Sequence, residues 1–349
     1  SRSSRSDRDR AISVNVLIRA DASAQAGGGH IARCIALAEA IHDRGGDALF
    51  ATRQDATLGH RMLKAAGMPY RELSCGADWL SDAEATRQLL GGNDWVVVDH
   101  YGLDARWQKV FKDDGIGVLV LDELADRPHA CDILVDTGRP EDGGNAYDRL
   151  VPDNCIRLLG PHYLVLRREF RETPPSPKDQ KKTTDLLVFF GSTDGASLTG
   201  RLLDAIDQVG LCGDLTTHVL LSKVNARYEE IRNRRGIVVH ENVSDMAGLL
   251  ADMDIAIGAG GVSMWERCRM GVPSLTVALN DNQMPGVTLA SSAGVIRSLA
   301  LNDARDPVLF SDALSRFFEC RQSWPAIGAA GRKIVDGNGA ARIIDRMVQ

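Results

Sequence analysis

Twice in this chain an apolar run ends in a glycine-rich turn that opens onto a helix. The first run, Val14-Asn15-Val16-Leu17-Ile18, leads to Gly27-Gly28-Gly29-His30, after which Ile31, Cys34, Ile35, Ala38 and Ile41 recur at the spacing of one helix face. The second, Ile255-Ala256-Ile257, leads to Gly258-Ala259-Gly260-Gly261 and a helix starting near Val262-Ser263. A strand, glycine turn and helix in that order commit the chain to an α/β architecture. Glycine also lets a ligand approach the backbone, and the open amides of a helix start attract anions. His30 adds a side chain that titrates near neutrality beside the turn of Gly28 and Gly29. Taken alone, the first turn fits a purely structural role as well as a ligand site.

Strands and helices alternate through both halves. In the first, Ala48 to Phe50, Trp95 to Val98, Val118 to Leu121 and Ile133 to Val135 read as strands, with helices over Leu58 to Ala66 and Ala105 to Phe111. Continuous apolar strands between helices predict a parallel sheet covered on both faces. Their polar ends, Asp99-His100-Tyr101, Asp122-Glu123 and Asp136, fall where open parallel sheets bind ligands. The stretch RETPPSPKDQKKTT, 171–184, reads as a solvated linker because its prolines and charges suit neither element. Beyond it, Leu186 to Phe190, His218 to Leu221, Ile237 to Val239, Ile255 to Ile257 and Ser274 to Val277 read as strands, with helices over Leu198 to Val209 and Met246 to Ala251. The expected organisation is a disordered arm over 1–12, a Rossmann-like domain over 13–170, the linker, and a second Rossmann-like domain over 185–349 whose last helix packs back on the first.

Charge and composition narrow the partners. A net charge of -6 argues against nucleic acid or an anionic membrane surface. No apolar run approaches the roughly 18–20 residues of a membrane span, and SRSSRSDRDR lacks the apolar core of a secretory signal. The 7 cysteines are scattered without a C-x-x-C pair, which argues against structural zinc and for a reducing cytoplasm.

The second turn carries more candidate chemistry. Open amides at Gly260 and Gly261 and the Ser263 hydroxyl make a seat for a diphosphate. Glu266, within the first turns of the same helix, could accept two ribose hydroxyls. Gly271-Val272-Pro273 feeds the next strand, after which Asn282 and Gln283 offer polar groups at its end. The plainer alternatives are that Glu266 is a favourable charge near a helix start and Asn282 a turn residue.

Glycine turn, Ser, Glu, G-x-P and a downstream N-Q resemble the nucleotide-sugar site of GT-B glycosyltransferases, the MurG-like group especially. RADASAQAGGGHIARC, VVDHYGLDARW, LVLDELADRPHACDILV, YLVLRREF, FFGSTD and the closing DGNGAARI together resemble the PseG family of UDP-sugar hydrolases of pseudaminic acid biosynthesis. The resemblance implies a GT-B-like fold, two Rossmann-like domains whose parallel sheets face an interdomain cleft. It implies hydrolysis of a UDP-linked 2,4-diacetamido-trideoxy hexose to UDP and free sugar, by inverting attack of water, with neither metal nor cofactor. The family's catalytic role carries over to His30. Asp21 is the residue expected to orient its imidazole. Gly28, Gly29, His100, Tyr101, Gly191, Asp194, Gly260, Gly261, Ser263, Glu266, Asn282 and Gln283 are the expected substrate contacts. The helix start is expected to keep His30 in its base form, whereas a nearby diphosphate pulls the other way. Three positions depart from the family pattern: Asp122-Glu123 replaces two aspartates, Gly191-Ser192-Thr193-Asp194 replaces a Gly-Gly-x-Asp turn, and Asp136-Thr137 stands where asparagines are usual.

Other constellations are weaker. Asp252-Met253-Asp254 has the D-x-D form of a metal site but reads as a helix end running into a strand. His30, His100, Asp99 and Asp122 stand at strand ends without the spacing of a metallohydrolase. His100 and Tyr101 are then either sugar contacts or structural polar groups. The rival functions are a GT-B glycosyltransferase with a UDP-amino sugar donor and a non-catalytic UDP-sugar-binding protein.

Overall fold

Both halves of the chain form parallel sheets, as their continuous apolar strands require. The computed structural model describes residues 14–22, 28–140, 145–174, 183–191 and 194–349. The arm expected over 1–12, Gly27, most of the linker, and Ser192 lie outside the described residues. The chain divides into one unit of residues 1–168 with 338–349 and a second of 169–337.

In the first unit, strands and helices alternate as β1 (Asn15–Ala20), α1 (Gly29–His42), β2 (Asp47–Arg53), α2 (Thr57–Ala65), β3 (Tyr70–Leu73), α3 (Trp79–Arg87), β4 (Trp95–Asp99) and α4 (Ala105–Asp113). Strands β5 (Gly117–Leu121), β6 (Ile133–Asp136) and β7 (Ile156–Leu159) follow, and α5 (Arg168–Glu172) carries the chain into the second unit. The sheet order is β3-β2-β1-β4-β5-β6-β7. The order reverses between β1 and β4, where Ala20 pairs with Asp99. That reversal splays the following connections apart and opens a crevice at the strand C-termini.

Alternate residues of each strand sort the unit into two cores. Val16, Ile18 and Ala20 of β1 pack with Val97, Leu119 and Leu121 under α1. Leu17, Val96, Val98, Val118 and Val120 pack on the other face with Trp107 and Phe111 of α4. Each fully buried aliphatic side chain contributes roughly 1.5–3 kcal/mol. Arg19 shares the parity of Leu17 and is fully buried on that second face. Its guanidinium meets Asp82 of α3 at 2.7 Å, and the Trp107 indole donates to the same carboxylate at 2.9 Å.

The second unit contains β8 (Thr184–Phe189), α6 (Leu198–Gln208), β9 (Leu215–Leu220), α7 (Tyr228–Arg232), β10 (Ile237–His240), α8 (Met246–Asp252), β11 (Ile255–Ala259), α9 (Val262–Met270), β12 (Ser274–Val277), α10 (Met284–Ser292) and β13 (Arg297–Leu299). Helices α11 (Leu301–Arg305), α12 (Pro307–Glu319) and α13 (Trp324–Ile334) complete it. The order β10-β9-β8-β11-β12-β13 again reverses, here between β8 and β11. Helix α14 (Gly339–Met347) belongs to the first unit, where Ala340, Ile343, Ile344 and Met347 join the α1 core.

Strands β3, β7 and β13 and helix α3 escape the apolar-run reading. All three strands are at or beside a sheet edge and half exposed, so no continuous apolar run marks them. The linker expected over 171–184 is narrower at both ends, since α5 runs to Glu172 and β8 begins at Thr184.

Candidate functional site

Both glycine turns stand at the reversal of their sheets. Helix α1 starts after Gly28 and α9 after Gly261, and no side-chain hydrogen bond caps either. By contrast Asp78, Asp104, Asp245 and Asp306 cap α3, α4, α8 and α12. Among the described residues no side chain takes the first amides of α1 and α9, which leaves them for water or a ligand.

In the first unit the turn is asymmetric. A Cβ at Gly28 would stand 2.8 Å from Met62 Sδ, whereas one at Gly29 would meet nothing within 4 Å. His30 follows in the first turn of α1 and is buried. Its Nδ1 lies 2.5 Å from Asp99 Oδ1. An ionised carboxylate can only accept, so Nδ1 carries the proton and Nε2 keeps its lone pair. Arg33, one helical turn on, donates to Asp99 through Nε at 2.5 Å and Nη2 at 2.6 Å, and to Glu123 at 2.9 Å. The Tyr101 hydroxyl donates to Glu123, and its ring meets the His30 ring edge-on at 4.6 Å.

This network sets the charges. Burial alone would push the Asp99 carboxyl up, but Arg33 and His30 hold it well below the usual carboxylate range. Burial likewise pulls His30 down, and the bond and charge of Asp99 outweigh it, leaving the imidazole above its ordinary value. The helix start was expected to keep His30 in its base form. The carboxylate in direct contact is closer than the partial charge of the helix terminus, and it reverses that direction.

Asp21 does not orient His30. Its carboxylate meets Arg19 Nη1 at 2.7 Å and accepts the Arg53 amide at 2.8 Å. The reason is strand parity: Asp21 continues the Arg19 face of β1, while Asp99 shares the face of Val97 toward α1. His100 also falls on the Arg19 side, with Nε2 at 3.6 Å from Asp21. Its Nδ1 accepts from the Gly102 amide at 3.0 Å, and burial together with Arg19 pushes its pKa down to about 4. Asp122 belongs to a further network, with Arg127 at 2.9 Å and the Tyr147 hydroxyl at 2.9 Å. Asp99, Arg33 and Glu123 are the members of the His30 cluster that the sequence reading left out of its site. Arg33 stands three residues after His30, on the same helix face, which is the signal that could have found it.

In the second unit, Gly261 has φ +77 and its neighbour Gly260 has no room for a Cβ, which would stand 2.7 Å from Val287. Ser263 lies in the first turn of α9, and Glu266 is buried on the same helix, 6% exposed. Gln283 folds over the turn: its Oε1 accepts the Leu279 amide at 2.9 Å, which turns Nε2 toward Gly261. Asn282 is exposed. Gly191 has φ +92, and among the described residues nothing lies within 4 Å of a Cβ position there. Asp194 is different. Both its oxygens accept amides of α6, from Leu198 at 2.9 Å and Thr199 at 3.0 Å. Its carboxylate, 3% exposed, shapes the turn after β8.

No family model matches the chain. It is similar to the spore coat polysaccharide biosynthesis protein SpsG of Bacillus subtilis, 27% identical over 205 residues, covering 57% of this chain and 60% of that protein. It is also similar to the UDP-2,4-diacetamido-2,4,6-trideoxy-beta-L-altropyranose hydrolase of Campylobacter jejuni, 25% identical over 241 residues, 67% of this chain and 81% of that one. The chain thus spans about three fifths of the length of the spore coat relative. Among solved structures, MurG of Acinetobacter baumannii superposes with a TM-score of 0.70 at 15% identity, over 96% of this chain and 99% of that one. This chain has the GT-B fold. A GT-B rhamnosyltransferase, SpnG, complexed with thymidine diphosphate aligns at a TM-score of 0.67 and 12% identity, over 95% of this chain and 99% of that one. The GT-B chain described here has no helix, among its described residues, that is long and apolar enough to cross a membrane.

Proposed function

We propose that this GT-B chain hydrolyses a UDP-linked 2,4-diacetamido-trideoxy hexose to UDP and the free sugar. The observation that carries the reading is the pair His30–Asp99 at the reversal of the first sheet, with Nε2 left as the acceptor. Asp99 fixes the tautomer and steadies the imidazolium that forms when Nε2 takes a proton. Water loses that proton as its oxygen bonds the anomeric carbon. The bond from that carbon to the diphosphate oxygen breaks, and UDP departs with the electron pair. Tyr101, edge-on to His30 and tied to Glu123, limits the approach to the base. In the second unit the open start of α9, Ser263 and Gln283 receive the diphosphate, and Glu266 receives the ribose hydroxyls. Similarity to the Campylobacter jejuni hydrolase supports both the substrate class and the choice of water as acceptor.

The second reading is sugar transfer from the same donor, which similarity to a polysaccharide biosynthesis protein favours. Counting UDP released from UDP-amino sugars decides between them. Hydrolysis predicts full turnover in water alone. Turnover that appears only when a sugar or lipid-linked acceptor is added would overturn it, and binding without turnover in either case would leave a binding protein.

A further inference from the structure

Arg267 is buried in the second unit, 2% exposed, with no carboxylate in ion-pair contact among the described residues. It lies on the same face of α9 as Ser263, one turn later, and a helical side chain leans back toward the helix start. Its guanidinium accordingly reaches the glycine turn. Nη2 donates to the Ala259 carbonyl at 2.8 Å and to Thr276 Oγ1 at 3.2 Å. Nη1 lies 3.5 Å from Ser263 Oγ and would be 3.3 Å from a Cβ at Gly258. Nε has no partner. Neutral oxygens satisfy two of these hydrogen-bonding directions but do not balance the charge, and a buried cation without a counterion is costly. Glu266 and Cys268 act on it only through space, and burial pushes its pKa down to about 10. It therefore remains charged at neutral pH.

We propose that Arg267 is a positioning residue for an anion at the start of α9: it holds the Ala259–Ser263 turn from beneath and supplies the fixed positive charge that a nucleoside diphosphate there completes. The inference rests on the reading of α9 as the nucleotide seat. Two independent features converge on it, the uncapped helix start and the buried guanidinium aimed at that start without an ionic partner.

The test measures uridine and UDP binding by calorimetry for the wild type, Arg267→Gln and Arg267→Lys, with circular dichroism to confirm folding. A charge acting on the diphosphate predicts that Arg267→Gln lowers the ratio of UDP to uridine affinity about tenfold or more while uridine affinity stays put. Arg267→Lys, which keeps the charge, should retain that ratio within about threefold. An unchanged ratio in Arg267→Gln would overturn the inference, as would equal loss for both ligands, which marks packing alone. If Arg267→Gln does not fold, the lysine variant decides: a ratio that falls tenfold in it overturns the role of charge. A wild type that binds neither ligand instead removes the nucleotide reading on which the inference rests.

Discussion

His30 Nδ1 and Asp99 Oδ1 stand 2.5 Å apart although 69 residues separate them in the chain. The sheet reversal brings them together: β1 delivers the turn before α1, and β4, its neighbour, ends at Asp99. A carboxylate fixed this way raises the basicity of Nε2 and also keeps the imidazole protonated to higher pH. A base that works only when neutral then loses activity as pH falls through its raised value. The acid limb of kcat/KM should lie above about 6.5, the ordinary histidine value. Asp99→Asn should move that limb down and lower kcat. A wild-type limb below 6.5 would remove His30 from the role of base.

Replacing the imidazole separates chemistry from binding. His30→Asn keeps a short polar side chain but no basic nitrogen, so turnover should fall by about 10²–10⁴. UDP affinity should hold, because the nucleotide contacts are assigned to α9. Loss of UDP affinity along with turnover would make His30 a phosphate contact.

Much of this arrangement is legible once strand parity is followed past the strand ends. In β4, β5 and β6 the residues of one parity pack under α1 and those of the other against α4. Continuing that alternation puts Asp99, Tyr101 and Glu123 with His30 and Arg33, and Asp21, His100, Asp122 and Asp136 on the opposite side. The sequence places the glycine turns and His30 on their elements but does not show which carboxylate faces the imidazole. Asp21, expected there, follows a strand whose next inward residue on its face is a buried arginine, and the arginine claims it. Three of the four edge strands, β3, β7 and β13, escape for a different reason, since half-exposed segments such as Tyr70–Leu73 show neither an apolar run nor clean alternation.

That arginine gives a stability prediction. Arg19 is fully buried on the central strand and held by Asp82. Asp82→Ala removes its bidentate partner and the acceptor of the Trp107 indole, which should cost about 3–5 kcal/mol in urea unfolding. Arg19→Met with Asp82→Leu should cost clearly less than the two single changes added together, since the one carboxylate that then loses Arg19 is Asp21, which is 17% exposed and still accepts the Arg53 amide. Strict additivity would show that the pair does not act as a unit.

Glu266 should govern recognition of the nucleoside rather than of the phosphates. Loss of one charge-assisted contact is worth roughly 1.5–3 kcal/mol, so Glu266→Ala should weaken uridine and UDP together by about tenfold or more. This differs from the effect expected of Arg267, which acts on UDP alone. A variant that binds both ligands as the wild type does would return Glu266 to the role of a helix charge.

The last prediction concerns a proton. The Tyr147 hydroxyl lies 2.9 Å from Asp122 Oδ2 and 2.9 Å from Asp136 Oδ2, and all three residues are buried. One phenolic hydrogen can satisfy only one of two ionised carboxylates. The other must donate to the phenolic oxygen, and so must hold a proton of its own. Asp122 has Arg127 beside it and stays low despite its burial, with His129 also favouring the charge. Burial raises Asp136, and the Gly138 amide, Tyr147 and Arg139, whose Nε donates to Asp136 Oδ2 at 3.0 Å, offset only part of it. Of the two carboxyls, Asp136 is therefore the one that holds a proton to the higher pH. A carboxyl whose pKa is higher folded than unfolded binds more protons in the native state, so its contribution to stability falls as pH rises above the unfolded value near 4. Asp136→Asn supplies the donor permanently and removes that decline. Its stability relative to wild type should therefore increase between pH 4 and 7, whereas Asp122→Asn should destabilise the fold at neutral pH by taking the buried carboxylate from Arg127, which then keeps only the exposed Asp126. Urea unfolding of both variants across that range checks the assignment. The reverse pattern, with Asp122→Asn tolerated and Asp136→Asn costly, would move the proton to the other carboxyl.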